Sequence, residues 1–146
     1  MPGAGSSIAA IPYANVQIAL GEDDLFCIVQ NVYHEARGED VLGQAAVAHV
    51  TLNRVRSPAY PDTVCGVVWQ PGQFSWTEDG RSDRMTDLDA IGKAVDIALG
   101  AARGKIKDPA GGALHFYAHN KVRPNWSSRG YRLIVGEHTF VRLVGR

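Results

Sequence analysis

The sequence predicts an α+β fold in one domain, with helices through the first two-thirds and a small antiparallel sheet near the C-terminus. Three observations predict it. Apolar residues recur at helical spacing in three segments between residues 22 and 100, and the pattern changes to that of strands after residue 113. Gly136-Glu137 then separates two strand-like segments as a two-residue turn, with glycine supplying positive φ. Helices that precede the strands, rather than alternate with them, are the α+β order. A chain of 146 residues buries roughly 70% of its unfolded surface, so a core needs no staple.

Residues 1–21, rich in Gly, Ser, Ala and Pro, read as a lead-in. No Lys or Arg stands near the start, and Pro12, Asn15 and Gln17 interrupt the apolar stretch. That is not a secretory signal, so synthesis in the cytoplasm is expected. No run approaches the ~18 apolar residues of a membrane span, and no membrane partner is expected. Residues 22–37 read as a helix: Leu25, Ile28, Val29, Val32 and Ala36 form a stripe, Glu22, Asp23 and Asp24 suit its positive end, and Gly38 stops it. Residues 42–56 are apolar on nearly every side, the pattern of a buried central helix, and Ser57-Pro58 ends it. Residues 57–85 read as a long irregular stretch carrying Pro58, Pro61, Pro71, Gly66, Gly72 and Gly80. Thr86 with Asp89 resembles a cap for a third helix whose face is Leu88, Ile91, Val95, Ala98 and Leu99, with Gly100 at its end. Residues 113–117, 131–135 and 138–143 read as strands.

Net charge is zero but unevenly placed: residues 1–100 hold 6 basic against 13 acidic residues, and residues 101–146 hold 9 against 2. The two halves attract each other in one fold, or the basic strip meets an anionic polymer. No nucleic-acid-binding motif accompanies the charge, and nucleic acid is not expected as a partner. Cys27 and Cys65 are an even pair, either two buried thiols or one bridge.

Chemistry concentrates in Tyr33-His34-Glu35-Ala36-Arg37-Gly38-Glu39. Steps of about 100° per residue place Glu35 about 80° from the centre of the apolar stripe, at its border, with Tyr33 on the other border and His34 on the far side. A carboxyl at that rim is partly desolvated, which raises its pKa and suits a general acid. The alternative is an exposed Glu35 paired with Arg37. A zinc helix H-E-x-x-H would need a second His where Gly38 stands; His115 and His119 straddle a strand end, and His49 reads as a core histidine. No metal or other cofactor is therefore expected. Neither a G-x-S-x-G elbow nor a P-loop is present. Phe74 and Trp76 in the irregular stretch, and Tyr117 and Trp126 near the strands, are the aromatics placed to contact a sugar.

Five collinear segments carry a resemblance. They are residues 33–39; Gly43-Gln44-Ala45-Ala46-Val47-Ala48 with Asn53-Arg54-Val55; Tyr60 to Val68 with Gln73-Phe74-Ser75; Gly111-Gly112-Ala113-Leu114 with Pro124-Asn125-Trp126; and Gly136-Glu137-His138-Thr139-Phe140. Over roughly residues 24–143 the chain resembles the SleB-type, spore cortex-lytic cell wall hydrolases. The resemblance implies a lysozyme-like catalytic domain at 22–146 that acts on peptidoglycan glycan strands, at the bond between N-acetylmuramic acid (MurNAc) and N-acetylglucosamine (GlcNAc). It implies Glu35 as the catalytic acid, Glu39 in a supporting role at the substrate, and a bridge between Cys27 and Cys65. It favours a lytic transglycosylase giving 1,6-anhydro-MurNAc ends over a muramidase. A zinc-dependent amidase and a non-catalytic wall-binding domain are the rivals from other classes. With no signal peptide expected, a phage endolysin released through a holin pore and acting as a monomer is the expected setting.

Overall fold

A computed structural model describes residues 18–122, 124 and 130–143. Four helices and three strands follow in order: α1 (Glu22–Ala36), α2 (Val41–Val55), α3 (Val64–Val68), α4 (Leu88–Ala102), β1 (His115–Ala118), β2 (Gly130–Val135) and β3 (His138–Leu143), with a 3-10 turn at Ser75–Thr77. The helices-then-sheet order is the predicted one. Of the lead-in, Ile18 and Leu20 pack against the core, and the Ile18 amide donates to the Ala102 carbonyl at 2.8 Å.

Helix α1 packs against α2, α3 and α4. Its stripe is the predicted one, with Ile28, Val29, Val32 and Ala36 buried and Leu25 half-buried. Helix α2 is capped by Asp40, whose carboxylate accepts from the Gly43 amide at 2.9 Å. It runs through the core with Ala45, Ala46, Val47, Ala48, Val50 and Leu52 all fully buried. Small side chains on several faces let neighbours approach from every side, which is why this helix shows no single stripe.

Four sequence expectations need correction. The stretch 57–85 contains the short α3, capped by Thr63, whose hydroxyl accepts from the Gly66 amide at 3.0 Å; five residues are too few to display a helical period. Helix α4 is capped by Asp87, which accepts from the Ala90 amide, rather than by Thr86. Its buried face is Ala94, Ile97, Ala98, Ala101 and Ala102, while Leu88 is 81% exposed. Small residues won that face because they allow close approach to α1. Gly100 lies inside the helix and does not end it: a Cβ there would sit 2.5 Å from Ile106 Cδ1, so glycine makes room for the returning chain.

The sheet has the order β1-β3-β2, with β3 central and antiparallel to both neighbours; Phe140 pairs with Phe116 on one side and Leu133 on the other. Gly136, with φ of 59°, makes the β2–β3 turn as predicted. Strand β1 starts at His115 rather than Ala113, because the carbonyls of Ala113 and Leu114 accept from Asn53 and Arg54 of α2 and are not free for the sheet. These two bonds fix β1, and therefore the sheet, against the helices.

Candidate active site

Where the last turn of α1 meets the sheet and the 72–81 loop, a cleft of about 650 Å³ opens, within the usual size of a ligand site. Glu35 lies in it, with Arg54 from α2, Phe74 and Trp76 from the loop, Tyr117 from β1 and His138 from β3.

Glu35 is half-buried at the border of the α1 stripe. Burial raises its pKa from 4.5 to about 7, against the opposing pull of the Arg54 guanidinium. The alternative partner is otherwise engaged: Arg37 donates to the Tyr33 hydroxyl and lies over that ring. Near neutral pH a substantial fraction of Glu35 therefore carries its proton, as a general acid must.

Arg54 was not singled out from the sequence, although a cation inside a helix apolar on every side was the available signal. It is 5% exposed. Its Nε donates to the Leu114 carbonyl at 2.8 Å and its Nη1 to Gln73 Oε1 at 3.1 Å. The guanidinium also lies over the rings of Tyr60 and Phe74. One residue thus ties α2, the loop and the approach to β1 together at the cleft.

The aromatic wall is more deeply built in than the sequence suggested. Phe74 is 2% and Trp76 7% exposed. Trp76 Nε1 donates to Asn31 Oδ1 at 2.8 Å, and Asn31 Nδ2 donates to Thr51 Oγ1 at 3.1 Å, so a buried polar chain anchors the loop to both long helices. His34 does lie off the apolar stripe, as expected, but is covered there: its ring stacks on Trp76 with centroids 4.5 Å apart, and its Nε2 lies 3.0 Å from the Asp83 carbonyl oxygen. Glu35 thus shares the cleft with Phe74, Trp76 and Tyr117, whereas Trp126 lies outside the described residues.

Glu39, expected at the substrate, does not line this cleft. Its Oε1 accepts from the Glu137 amide at 3.3 Å, and its Oε2 lies 3.5 Å from His138 Nδ1. The chain bends between α1 and α2 and carries Glu39 under the β2–β3 turn, one step behind the cleft wall.

Cys27 of α1 and Cys65 of α3 are joined by a disulfide, with Cα atoms 5.3 Å apart. Two other carboxylates line the cleft, Glu78 and Asp79, both exposed. Each serves its own loop: Glu78 accepts from the Gly72 amide at 3.3 Å and Asp79 from the Arg81 amide at 2.9 Å. Among the described residues no three His, Cys, Asp or Glu side chains are grouped to hold a metal ion, and no helix is long and apolar enough to cross a membrane.

A half-buried carboxyl that burial raises to a pKa of about 7, in a cleft also lined by Phe74, Trp76 and Tyr117, has the geometry that general-acid chemistry requires. The profile of the Cell Wall Hydrolase family matches residues 38–141, and the chain belongs to that family. It is 39% identical over 127 residues to a spore cortex-lytic enzyme of Halalkalibacterium halodurans, covering 86% of this chain and 37% of that one. Against a spore cortex-lytic enzyme of Bacillus cereus it is 36% identical over 129 residues, covering 88% of this chain and 48% of the relative. The chain therefore spans less than half the length of these relatives. Among solved structures it is similar to the catalytic domain of Bacillus cereus SleB, with a TM-score of 0.69 and 32% identity over 88% of this chain and 96% of that one. The catalytic domain of the germination-specific lytic transglycosylase SleB from Bacillus anthracis gives the same TM-score and identity over 87% of this chain and all of that one. The expected α+β class and SleB-type resemblance hold. The family profile begins at Gly38, so the role given to Glu35 rests on the cleft and not on that match.

Proposed function

We propose that this domain is a lytic transglycosylase that cleaves peptidoglycan glycan strands between MurNAc and GlcNAc, with Glu35 as the proton donor and then the proton acceptor. The observation that carries the reading is Glu35 itself, a carboxyl held near pKa 7 by burial inside a cleft. Family membership supplies the substrate class, and the kinship with a structure described as a lytic transglycosylase favours the anhydro product.

In the first step the Glu35 carboxylic acid gives its proton to the glycosidic oxygen as the C1–O bond of MurNAc breaks and positive charge develops at C1. In the second, the Glu35 carboxylate takes the proton of the MurNAc 6-hydroxyl while that oxygen bonds to C1. The 1,6-anhydro ring closes, Glu35 is again protonated, and no water is consumed. A single acid suffices for this cycle. Glu78 and Asp79 are not required as a second catalytic carboxylate, in keeping with their engagement in the loop. Tyr117, half-buried at the cleft, is the ring that meets a sugar, and the buried Phe74 and Trp76 back the wall behind it.

Muropeptide mass spectrometry of digested sacculi tests the reading. Anhydro ends support it; reducing ends, heavier by one water, would make the domain a muramidase. Freed stem peptides lost with a chelator would make it a zinc amidase, and binding without release of fragments a wall-binding module. The setting is a separate matter, because the named relatives are spore cortex-lytic enzymes. The phage-endolysin setting rests on the sequence alone, and lysis of permeabilised cells by the added protein is its test.

A further inference from the structure

The carboxylate of Glu39 sits in a cradle that only glycine permits. A Cβ at Gly43 would lie 2.8 Å from Glu39 Oε1, and one at Gly136 would overlap the same oxygen. Around this pocket the Glu137 amide donates to Oε1, and His138 Nδ1 faces Oε2 at 3.5 Å. His138 is 7% exposed, and its Nδ1 is buried with no hydrogen-bond partner, so the Glu39 carboxylate at 3.5 Å faces it at ion-pair distance. Phe116 meets the imidazole edge-on and Phe140 lies beside it, so the ring has little room to turn. Yet His138 also lines the cleft that holds Glu35.

We propose that Glu39 and His138 form a dyad in which Glu39 holds the Nδ1–H tautomer and His138 presents the lone pair of Nε2 to a sugar hydroxyl beside Glu35. A carboxylate facing one imidazole nitrogen fixes a proton there and leaves the other as an acceptor. His138 then touches substrate, and Glu39 is a positioning residue that acts through it. Burial lowers the His138 pKa, with Glu39 and Glu137 raising it and His119 and Lys121 lowering it, so the ring is neutral at the pH where Glu35 is poised. The inference rests on the glycosidase reading above and adds to it an acceptor that orients a hydroxyl.

The sign of the pH effect follows. Protonation of His138 removes the Nε2 lone pair, so activity falls on the acid side, below the ordinary histidine pKa of about 6.5. Glu39→Gln removes a charge that raises the His138 pKa, so the acid limb moves to lower pH. His138→Gln abolishes that limb, lowers kcat about tenfold, the size of one oriented hydrogen bond, and leaves the alkaline limb set by Glu35 in place. The tautomer is read directly in the unmodified protein by the nitrogen chemical shifts of the imidazole. A protonated Nδ1 and a bare Nε2 are expected. A protonated Nε2 at neutral pH, or a His138→Gln enzyme with an unchanged acid limb, would overturn the dyad, and the shift measurement stands even if a variant fails to fold. Failure of the glycosidase reading is distinguishable: there Glu35→Gln would release fragments as well as the wild type does.

Discussion

Arg54 lies near enough to Glu35 to pull its pKa down, yet its Nε and Nη1 donate to Leu114 and Gln73 rather than to the Glu35 carboxyl. A direct bond from this guanidinium would hold Glu35 ionised and remove the acid. Committing Arg54 to the wall keeps its charge at one remove, so burial wins and Glu35 stays near 7.

Glu35→Gln should therefore lose at least about a hundredfold in the rate of sacculus digestion, the usual size of a general-acid contribution. The wild-type rate should fall as pH rises through about 7, because only the protonated form can donate. Rates of fragment release measured from pH 5 to 9 check both. A wild-type profile flat across that range would detach the chemistry from Glu35.

The same shift has a stability consequence of opposite sign. A carboxyl whose pKa is raised from 4.5 in the unfolded chain to about 7 in the fold costs nothing below pH 4.5. It destabilises increasingly as pH climbs to 7, and fully above it. At 1.36 kcal/mol per unit the penalty is capped at about 3 kcal/mol. Denaturant unfolding should find Glu35→Gln more stable than wild type at pH 8 and equal to it at pH 4.

Arg54→Met should leave the Leu114 carbonyl without its side-chain donor and Gln73 without a partner, at a cost of about 2–4 kcal/mol. Where the variant stays folded, loss of the positive charge should move the alkaline limb of activity upward, since Arg54 lowers the Glu35 pKa. Urea midpoints give the first effect and pH–rate profiles the second. A downward move of the limb would mean that Arg54 does not act on Glu35 by charge.

The helical half of the fold was legible because its signals are local. The α1 stripe at Ile28, Val29, Val32 and Ala36, and the all-round burial of α2, follow from spacing alone. Placement of Glu35 at the stripe border was legible for the same reason. What escaped was set by long-range contact. The buried face of α4 depends on which side meets α1, so its large Leu88 stays in water while alanines go inside. The Asn31–Trp76 bond joins residues 45 apart, and the Glu39–Glu137 contact residues 98 apart, and no window of sequence displays either. Glu39 was therefore expected at the substrate beside its motif neighbour Glu35, although the turn after α1 directs it elsewhere.

The loop wall offers a sharper test of that long-range chain. Trp76→Phe keeps the ring but leaves Asn31 Oδ1, on a residue wholly buried, without its donor. A loss of about 1–3 kcal/mol is expected from the unsatisfied acceptor, read as a lower urea midpoint. Asn31→Leu in the same background removes the orphaned group and should recover part of the loss, because the Thr51 hydroxyl still donates to the Val47 carbonyl at 3.0 Å.

Reduction probes a different tether. The Cys27–Cys65 bridge closes 38 residues of sequence separation between α1 and α3, and the loop-entropy relation assigns such a link about 3–4 kcal/mol. A Cys27→Ala, Cys65→Ala double variant should unfold at lower temperature than the oxidised protein, as should the wild type under strong reductant, and by similar amounts. The cleft itself should survive, because the residues that line it, among them Glu35, Arg54, Trp76 and those of β1, include no cysteine. Activity at low temperature is accordingly expected to persist without the bridge and to be lost earlier on heating. Equal thermal stability with and without the link would mean that the α1–α3 packing already restrains the chain as tightly as the covalent bond does.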